Sequence, residues 1–235
     1  MTGYNLYLLK DLIEELGEDK TEEILSSFSC PLNSDVENFL KYTAILFDKQ
    51  HLSSTHLVFA SYKQEHQLAG YFTLAQKSFL ISNSRKSHTT KISNTLMKKL
   101  AKYGTYDNQS GRHTIPAPLI AQLGRNFSCG DGNQKLISGD ELLKIACDKV
   151  WEFQRVFSGR HVYLECEDKP KLINFYESNG FVQFGTRPLD ADEKDISGEY
   201  LVQMLKDLKA TYSTKASPST TEKAAPIYKK RTKFL

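Results

Sequence analysis

The sequence predicts a mixed α/β fold whose sheet is antiparallel towards its ends and parallel in its middle. Two strand-like runs, "STHLVFASYK" and "LAGYFTLAQKSF", are separated by a polar turn, which is the pattern of a hairpin. A mostly apolar run, "APLIAQLGRN", leads through a long helical stretch to a second strand, "HVYLECE", and that order implies a parallel crossover. Two more strand-like runs, "FVQFGTRPL" and "EYLVQMLKDL", follow a short helix.

Taken in order, "YNLYLLK" predicts a strand and "DLIEELGE" a short helix. Asn33-Ser34-Asp35 supplies an N-cap signal, after which Val36, Phe39, Leu40, Thr43, Ala44 and Phe47 fall on one helical face. The hairpin comes next, and then a polar segment containing the amphipathic piece "TLMKKLAKY", expected to be a loop with one short helix. Pro116 and Pro118 are expected to precede the apolar strand, which reads as buried on both faces. The long helix "DELLKIACDKVWEFQRVF" carries Leu142, Leu143, Ala146, Cys147, Val150, Phe153 and Phe157, so all seven are expected in the core. "KPKLINFYESNG" predicts a short helix that ends at Asn179-Gly180. One domain is expected over residues 1–211, with a basic insertion at 83–114. A disordered basic tail is expected over 212–235.

At 235 residues, 40% hydrophobic and 25% charged, the chain has enough apolar content to bury a full core and the polarity of a soluble protein. No apolar run approaches the roughly 20 residues of a membrane span, and the N-terminus lacks the features of a secretory signal. Cys30, Cys129, Cys147 and Cys166 are scattered without C-x-x-C pairing, and the six histidines show no metal-ligand spacing. The expectation is a cytoplasmic protein with no metal site.

The overall charge of +3 is uneven. Residues 84–113 carry +6 and residues 212–235 carry +5, which leaves the rest of the chain at −8. Basic segments on an acidic body are consistent with either an anion-steering surface or merely soluble loops.

Two stretches carry chemistry. In "LIAQLGRNFSCGDGNQKLISGDELLKIA" a strand passes through a glycine-containing loop into a helix, and Ser138 and Glu141 have the spacing of a capping box. The free amides of the first turn, with Gly139 lacking a side chain, would suit a phosphate. Asp140 and Glu141 already place negative charge there, so a plain capped core helix fits as well. In "YLECEDKPKLINFYESNGF" the pair Phe175-Tyr176 reads on its own as core aromatics.

Together these stretches resemble the GNAT superfamily of acetyl-CoA-dependent N-acetyltransferases. The family loop Q/R-x-x-G-x-G/A stands here as Gln134-Lys135-Leu136-Ile137-Ser138-Gly139, with Ile137 in place of the first glycine. The later motif, an aromatic-Tyr pair three residues before Gly-Phe, is met by "FYESNGF". Lys169 stands where the family usually has an asparagine. Residues 20–208 share the resemblance. The run from "SCPLNSDVENFL" to "LAGYFTLA" is similar to the N-terminal half of the subgroup found as toxins of toxin–antitoxin pairs, which acetylate aminoacyl-tRNA. The insertion at 83–114 departs from that subgroup.

The resemblance implies a splayed sheet and acetyl-CoA as co-substrate. Its pantetheine arm would pair with Leu123, Gly124 and Arg125, and its pyrophosphate would sit on the amides of Gln134, Lys135, Leu136, Ile137, Ser138, Gly139 and Asp140. Tyr176 is implied as the acid that protonates the leaving thiolate. Glu165 is the expected base, acting through water. A homodimer is a further family expectation. The acceptor stays open: an amine on a protein or small molecule, an aminoacyl-tRNA held by the basic segments, or no acceptor at all in a GNAT-shaped binding module.

Overall fold

The computed structural model describes residues 3–62, 65–82, 92–128, 136–191, 193 and 198–213. Expectations for 83–91, 129–135 and 214–235 lie outside these residues, and so do Gln134 and Lys135.

The N-terminal strand β1 (Tyr4–Leu8) runs directly into helix α1 (Leu9–Leu16), followed by α2 (Glu18–Ser26). Gly17 joins the two helices with φ 84°, a backbone conformation that only glycine adopts without strain. The sequence reading placed no helix at α2. The Asn33 side chain accepts from the Asp35 and Val36 amides and starts α3 (Ser34–Asn38). A π-helical turn (Phe39–Thr43) then connects α3 to α4 (Ala44–Lys49).

The hairpin is β2 (Ser54–Tyr62) and β3 (Glu65–Ser82), paired antiparallel. After β3 come α5 (Asn94–Ala101), β4 (Thr105–Asp107) and β5 (Arg112–Arg125). Helix α6 (Gly139–Phe157) leads to β6 (His161–Glu167), α7 (Pro170–Ser178), β7 (Val182–Pro188), β8 (Tyr200–Asp207) and α8 (Leu208–Ser213). Tyr212 and Ser213, placed in the tail by composition, instead close α8, where Tyr212 stacks on Trp151 at 5.4 Å.

The sheet order is β1-β2-β3-β5-β6-β8-β7, with β4 added to β5. The β5–β6 pair is parallel and the other pairs are antiparallel. Alternation along the strands divides the apolar side chains between two faces. One face carries Val58, Phe72, Ile120, Val162, Leu164 and Met204, which pack under α6 and α7. The other face is covered in two patches. Leu57, Phe59 and Tyr71 meet the α1–α4 layer, and Phe79, Ile115, Tyr163, Phe184 and Leu205 meet Leu96 and Leu100 of α5.

Three expectations are corrected. Within 83–114 the expected short helix is α5, but the described residues around it are not all loop. The segment also adds β4, supplies the first residues of β5, Arg112–Thr114, which pair with the end of β3, and docks α5 on the sheet. Pro116 and Pro118 lie inside β5 rather than before it. They are tolerated because β4 pairs only as far as Thr114 and the ladder with β6 begins only at Leu119, so among the described residues no strand pairs with that edge of β5 over the prolines. Phe153 and Phe157 are 42% and 72% exposed, stacked on each other at 4.9 Å. They fall off the stripe Leu143, Ala146, Cys147, Val150 and Gln154 that faces the core.

Candidate active site

The site is set by where β5 and β6 separate. Their ladder consists of Leu119↔Tyr163 and Ile120↔Leu164. Beyond it β5 continues along β3 to Arg125, while β6 continues along β8 to Glu167. The split coincides with a bulge. Thr73 pairs with Gln122 and Leu74 with Ile120, which leaves Ala121 as the extra residue on β5. A bulge bends its strand and sharpens the twist, so β5 turns away from β6 where the ladder ends. Leu123, Gly124 and Arg125 therefore pair with Phe72, Tyr71 and Gly70 on one side and leave the other edge unpaired by β6. The Arg125 guanidinium lies 4.4 Å over the Phe127 ring.

Gly124 is required by packing. A Cβ there would stand 2.5 Å from Val36 and 2.8 Å from the Tyr71 ring. The side chain is absent because α3 lies directly against β5.

The start of α6 borders the same opening. Ser138 caps the helix, with the Glu141 amide donating to its Oγ at 3.1 Å and its own amide donating to Glu141 Oε2 at 2.9 Å. This capping box uses two of the donors. The Gly139 and Asp140 amides have no partner among the described residues, and they point out of the first turn. Ile137 is 1% exposed and packs in the core under α6, so its β-branched side chain points away from these amides. The Leu136 carbonyl accepts from the Tyr4 hydroxyl at 3.2 Å. Asp140 Oδ1 accepts from Asn179 Nδ2 at 2.7 Å and ties the start of α6 to the end of α7.

Tyr176 is buried on α7 between Phe175 and Phe181, with ring centroids at 5.0 and 5.9 Å. Its hydroxyl makes no hydrogen bond among the described residues. Burial, reinforced by the neighbouring Cys166, holds its pKa above the ordinary tyrosine value. Cys166 is on β6 just past the split, and burial pushes its thiol up to about 12. Tyr176 and Cys166 therefore lie together on the α6–α7 face of the opening.

Glu165 points to the opposite face. Its Oε2 accepts from Arg187 Nε and its Oε1 from Gln203 Nε2, both at 2.8 Å. Arg187 also binds Glu193 and Asp190, so Glu165 is part of a network that anchors the turn after β7. The sequence reading missed Arg187, Gln203 and Asp190, and no local motif signals them. It also missed the contact between Gln122 Nε2 and Asp35 Oδ2, at 3.0 Å across 87 residues. Among the described residues no group of three His, Cys, Asp or Glu side chains is placed to hold a metal ion. No described helix is long and apolar enough to cross a membrane.

No protein-family model matches the sequence, and no curated protein matches it. Several solved structures match the fold. A tyrosine-to-phenylalanine variant of KacT aligns over 90% of this chain and 98% of its own, with a TM-score of 0.57 at 16% identity. AtaT complexed with acetyl-methionyl-tRNAfMet aligns over 92% of this chain and all of its own, with a TM-score of 0.56 at 15% identity. AtaTR bound with acetyl-CoA aligns over 91% and 98%, with a TM-score of 0.51 at 16% identity. At these identities the likeness is one of architecture: the chain has the GNAT-like α/β fold, in common with KacT and AtaT.

Proposed function

We propose that this protein is an N-acetyltransferase that moves an acetyl group from acetyl-CoA to a primary amine. The observation that carries the reading is the parting of β5 from β6 after Ile120, at a bulge, beside a helix start with open amides. An unpaired strand edge can take an extended chain as an added strand. The Leu123–Arg125 edge holds the pantetheine arm in this way. The Gly139 and Asp140 amides receive the pyrophosphate, aided by the α6 dipole. With Ile137 turned inward, the missing family glycine leaves this seat clear.

When bound, acetyl-CoA supplies a thioester carbonyl for attack by a neutral amine. Tyr176 donates its proton to the departing sulfur, for which its unbonded hydroxyl is free. Backbone amides beside the bulge polarise the carbonyl oxygen. Both oxygens of Glu165 accept hydrogen bonds, from Arg187 and Gln203, which fixes this carboxylate on the side of the opening opposite Tyr176.

The test is calorimetry with acetyl-CoA, followed by thiol release in the presence of amines. Absence of acetyl-CoA binding overturns the reading.

The basic insertion favours an amine carried on RNA as a more specific version. Lys98, Lys99 and Lys102 are exposed on and just after α5, and phosphate contacts of this kind supply salt-sensitive affinity. Among the matching structures, AtaT is in complex with acetyl-methionyl-tRNAfMet. Acetylation of charged but not uncharged tRNA, weakened by salt, is the expected result. Equal acetylation of a free amine without RNA removes the RNA-borne acceptor and leaves the acetyltransferase reading intact.

A further inference from the structure

The opening between β5 and β6 has two sides, and their polar groups differ. Tyr176 and Cys166 lie on the α6–α7 side. On the opposite side the two banks of the opening each carry a carboxylate. On the β6 bank, Glu165 has both oxygens occupied, by Arg187 Nε and Gln203 Nε2. On the β5 bank, Asp35 receives Gln122 Nε2 on Oδ2 at 3.0 Å, and Oδ1 has no partner among the described residues. Gln122 is the first residue after the extra Ala121, next to the Leu123 edge, and β6 does not pair with it.

Asp35 is fixed in place. It belongs to α3, which Asn33 caps and which packs through Val36 against Gly124 of β5. The Tyr71 hydroxyl donates to the Val36 carbonyl at 2.6 Å and pins the same turn to β3. Asp35 is half-buried, so its carboxylate is partly withdrawn from bulk water.

Building on the acetyltransferase reading, we infer that Asp35 is the acceptor-binding residue, and that its free Oδ1 receives the ammonium group of a cationic amine. A primary amine reaches the site protonated at neutral pH. A rigid carboxylate with one oxygen already held by Gln122 presents the other as a directed, charge-assisted acceptor. This places the amine nitrogen on the side of the opening opposite Tyr176: the ammonium gives up one proton to solvent before its nitrogen attacks the thioester, and the sulfur leaves with the proton of Tyr176. Gln122 is a positioning residue that keeps Asp35 turned towards the β5 edge. Acceptors whose nucleophile carries no positive charge in solution, such as alcohols, are discriminated against.

The experiment uses the full-length protein with three probes: a lysine-containing peptide, spermidine and methionine methyl ester. Acetyl-CoA binding is measured first by calorimetry, and steady-state kinetics are then measured for each probe. Asp35→Asn is expected to raise KM for the accepted amine about tenfold or more, with acetyl-CoA affinity unchanged. Asp35→Glu should recover part of the loss, and Gln122→Leu should show a smaller rise in KM. An unchanged KM in Asp35→Asn, with wild-type acetyl-CoA binding and turnover intact, overturns the role of Asp35 alone. Acetyl-CoA binding with no acetylation of any probe also overturns it, whereas a wild-type protein that does not bind acetyl-CoA overturns the acetyltransferase reading itself.

Discussion

The Phe175 ring lies 3.1 Å from the point where a Cβ on Gly139 would stand. The start of α6 and the Phe175 ring of α7 pack closely, so a side chain at Gly139 meets that ring. The Gly139 and Asp140 amides themselves are left without a partner among the described residues, as an anion seat needs. Gly139→Ala forces the Phe175 ring to move, and over-packing of this kind costs about 1–3 kcal/mol. A lower urea midpoint is the expected result. Gly139→Glu should abolish acetyl-CoA binding in calorimetry, since it adds a side chain and a charge where the pyrophosphate sits. Unchanged affinity would place the pyrophosphate elsewhere.

Tyr176→Phe removes a hydroxyl that has no hydrogen-bond partner among the described residues, so stability should change little. Turnover should fall by roughly 10²–10⁴-fold, the range for loss of a positioned general acid. Acetyl-CoA affinity should stay the same. The pKa of the group is raised by burial, so the hydroxyl keeps its proton throughout the neutral and mildly alkaline range. Wild-type kcat should therefore show no alkaline decline from this group below its ordinary value of about 10. An active phenylalanine variant, measured by single-turnover kinetics, would remove Tyr176 from the chemistry.

Two buried histidines predict acid sensitivity. Burial pushes His56 down to about 4, with Lys149 adding to the effect. Burial does the same to His161, also to about 4, while Asp207 opposes it. In the unfolded chain both groups take up protons near pH 6.5. Below that pH the unfolded state binds more protons than the folded state, so stability is full above about 6.5 and declines towards 4. Urea midpoints at pH 7.5, 6 and 5 should fall in that order. His56→Gln should flatten the decline, although it gives up the stack on Phe72 at 4.8 Å.

Leu100 on α5 is fully buried against the sheet. Leu100→Ala should cost about 2–5 kcal/mol, as for a core leucine. A cost below 1 kcal/mol, measured by urea denaturation, would mean that α5 does not belong to the core.

Much of the architecture was legible from local pattern. Asn33 and Ser138 announce their helices because an N-cap acts on its own next few amides. Alternation in "HVYLECE" marks β6 because Val162, Leu164 and Cys166 share the face that packs under α6 and α7. Pairing between distant segments was less accessible. The bulge at Ala121 depends on how β5 registers against β3, and no property of alanine signals it. Pro116 and Pro118 were expected to precede the strand, because the stretch of β5 edge left without a strand partner among the described residues is a fact of topology. Phe153 and Phe157 looked like core residues because composition cannot tell which side of a long helix the sheet will meet. At the site, the Phe175-Tyr176 motif was found by family likeness, while Asp35 with Gln122 and Glu165 with Arg187 arise only when the chain is folded.

The segment between β3 and β5 supplies part of the core, since Leu96 and Leu100 of α5 pack on the sheet. Excising it and rejoining β3 to β5 with a tight turn would strip the roof from Phe79, Tyr163, Phe184 and Leu205, and these side chains would then face water as a sticky wall. A shortened chain of that sort is expected to aggregate, so questions about this segment are better put to its exposed Lys98, Lys99 and Lys102 one at a time.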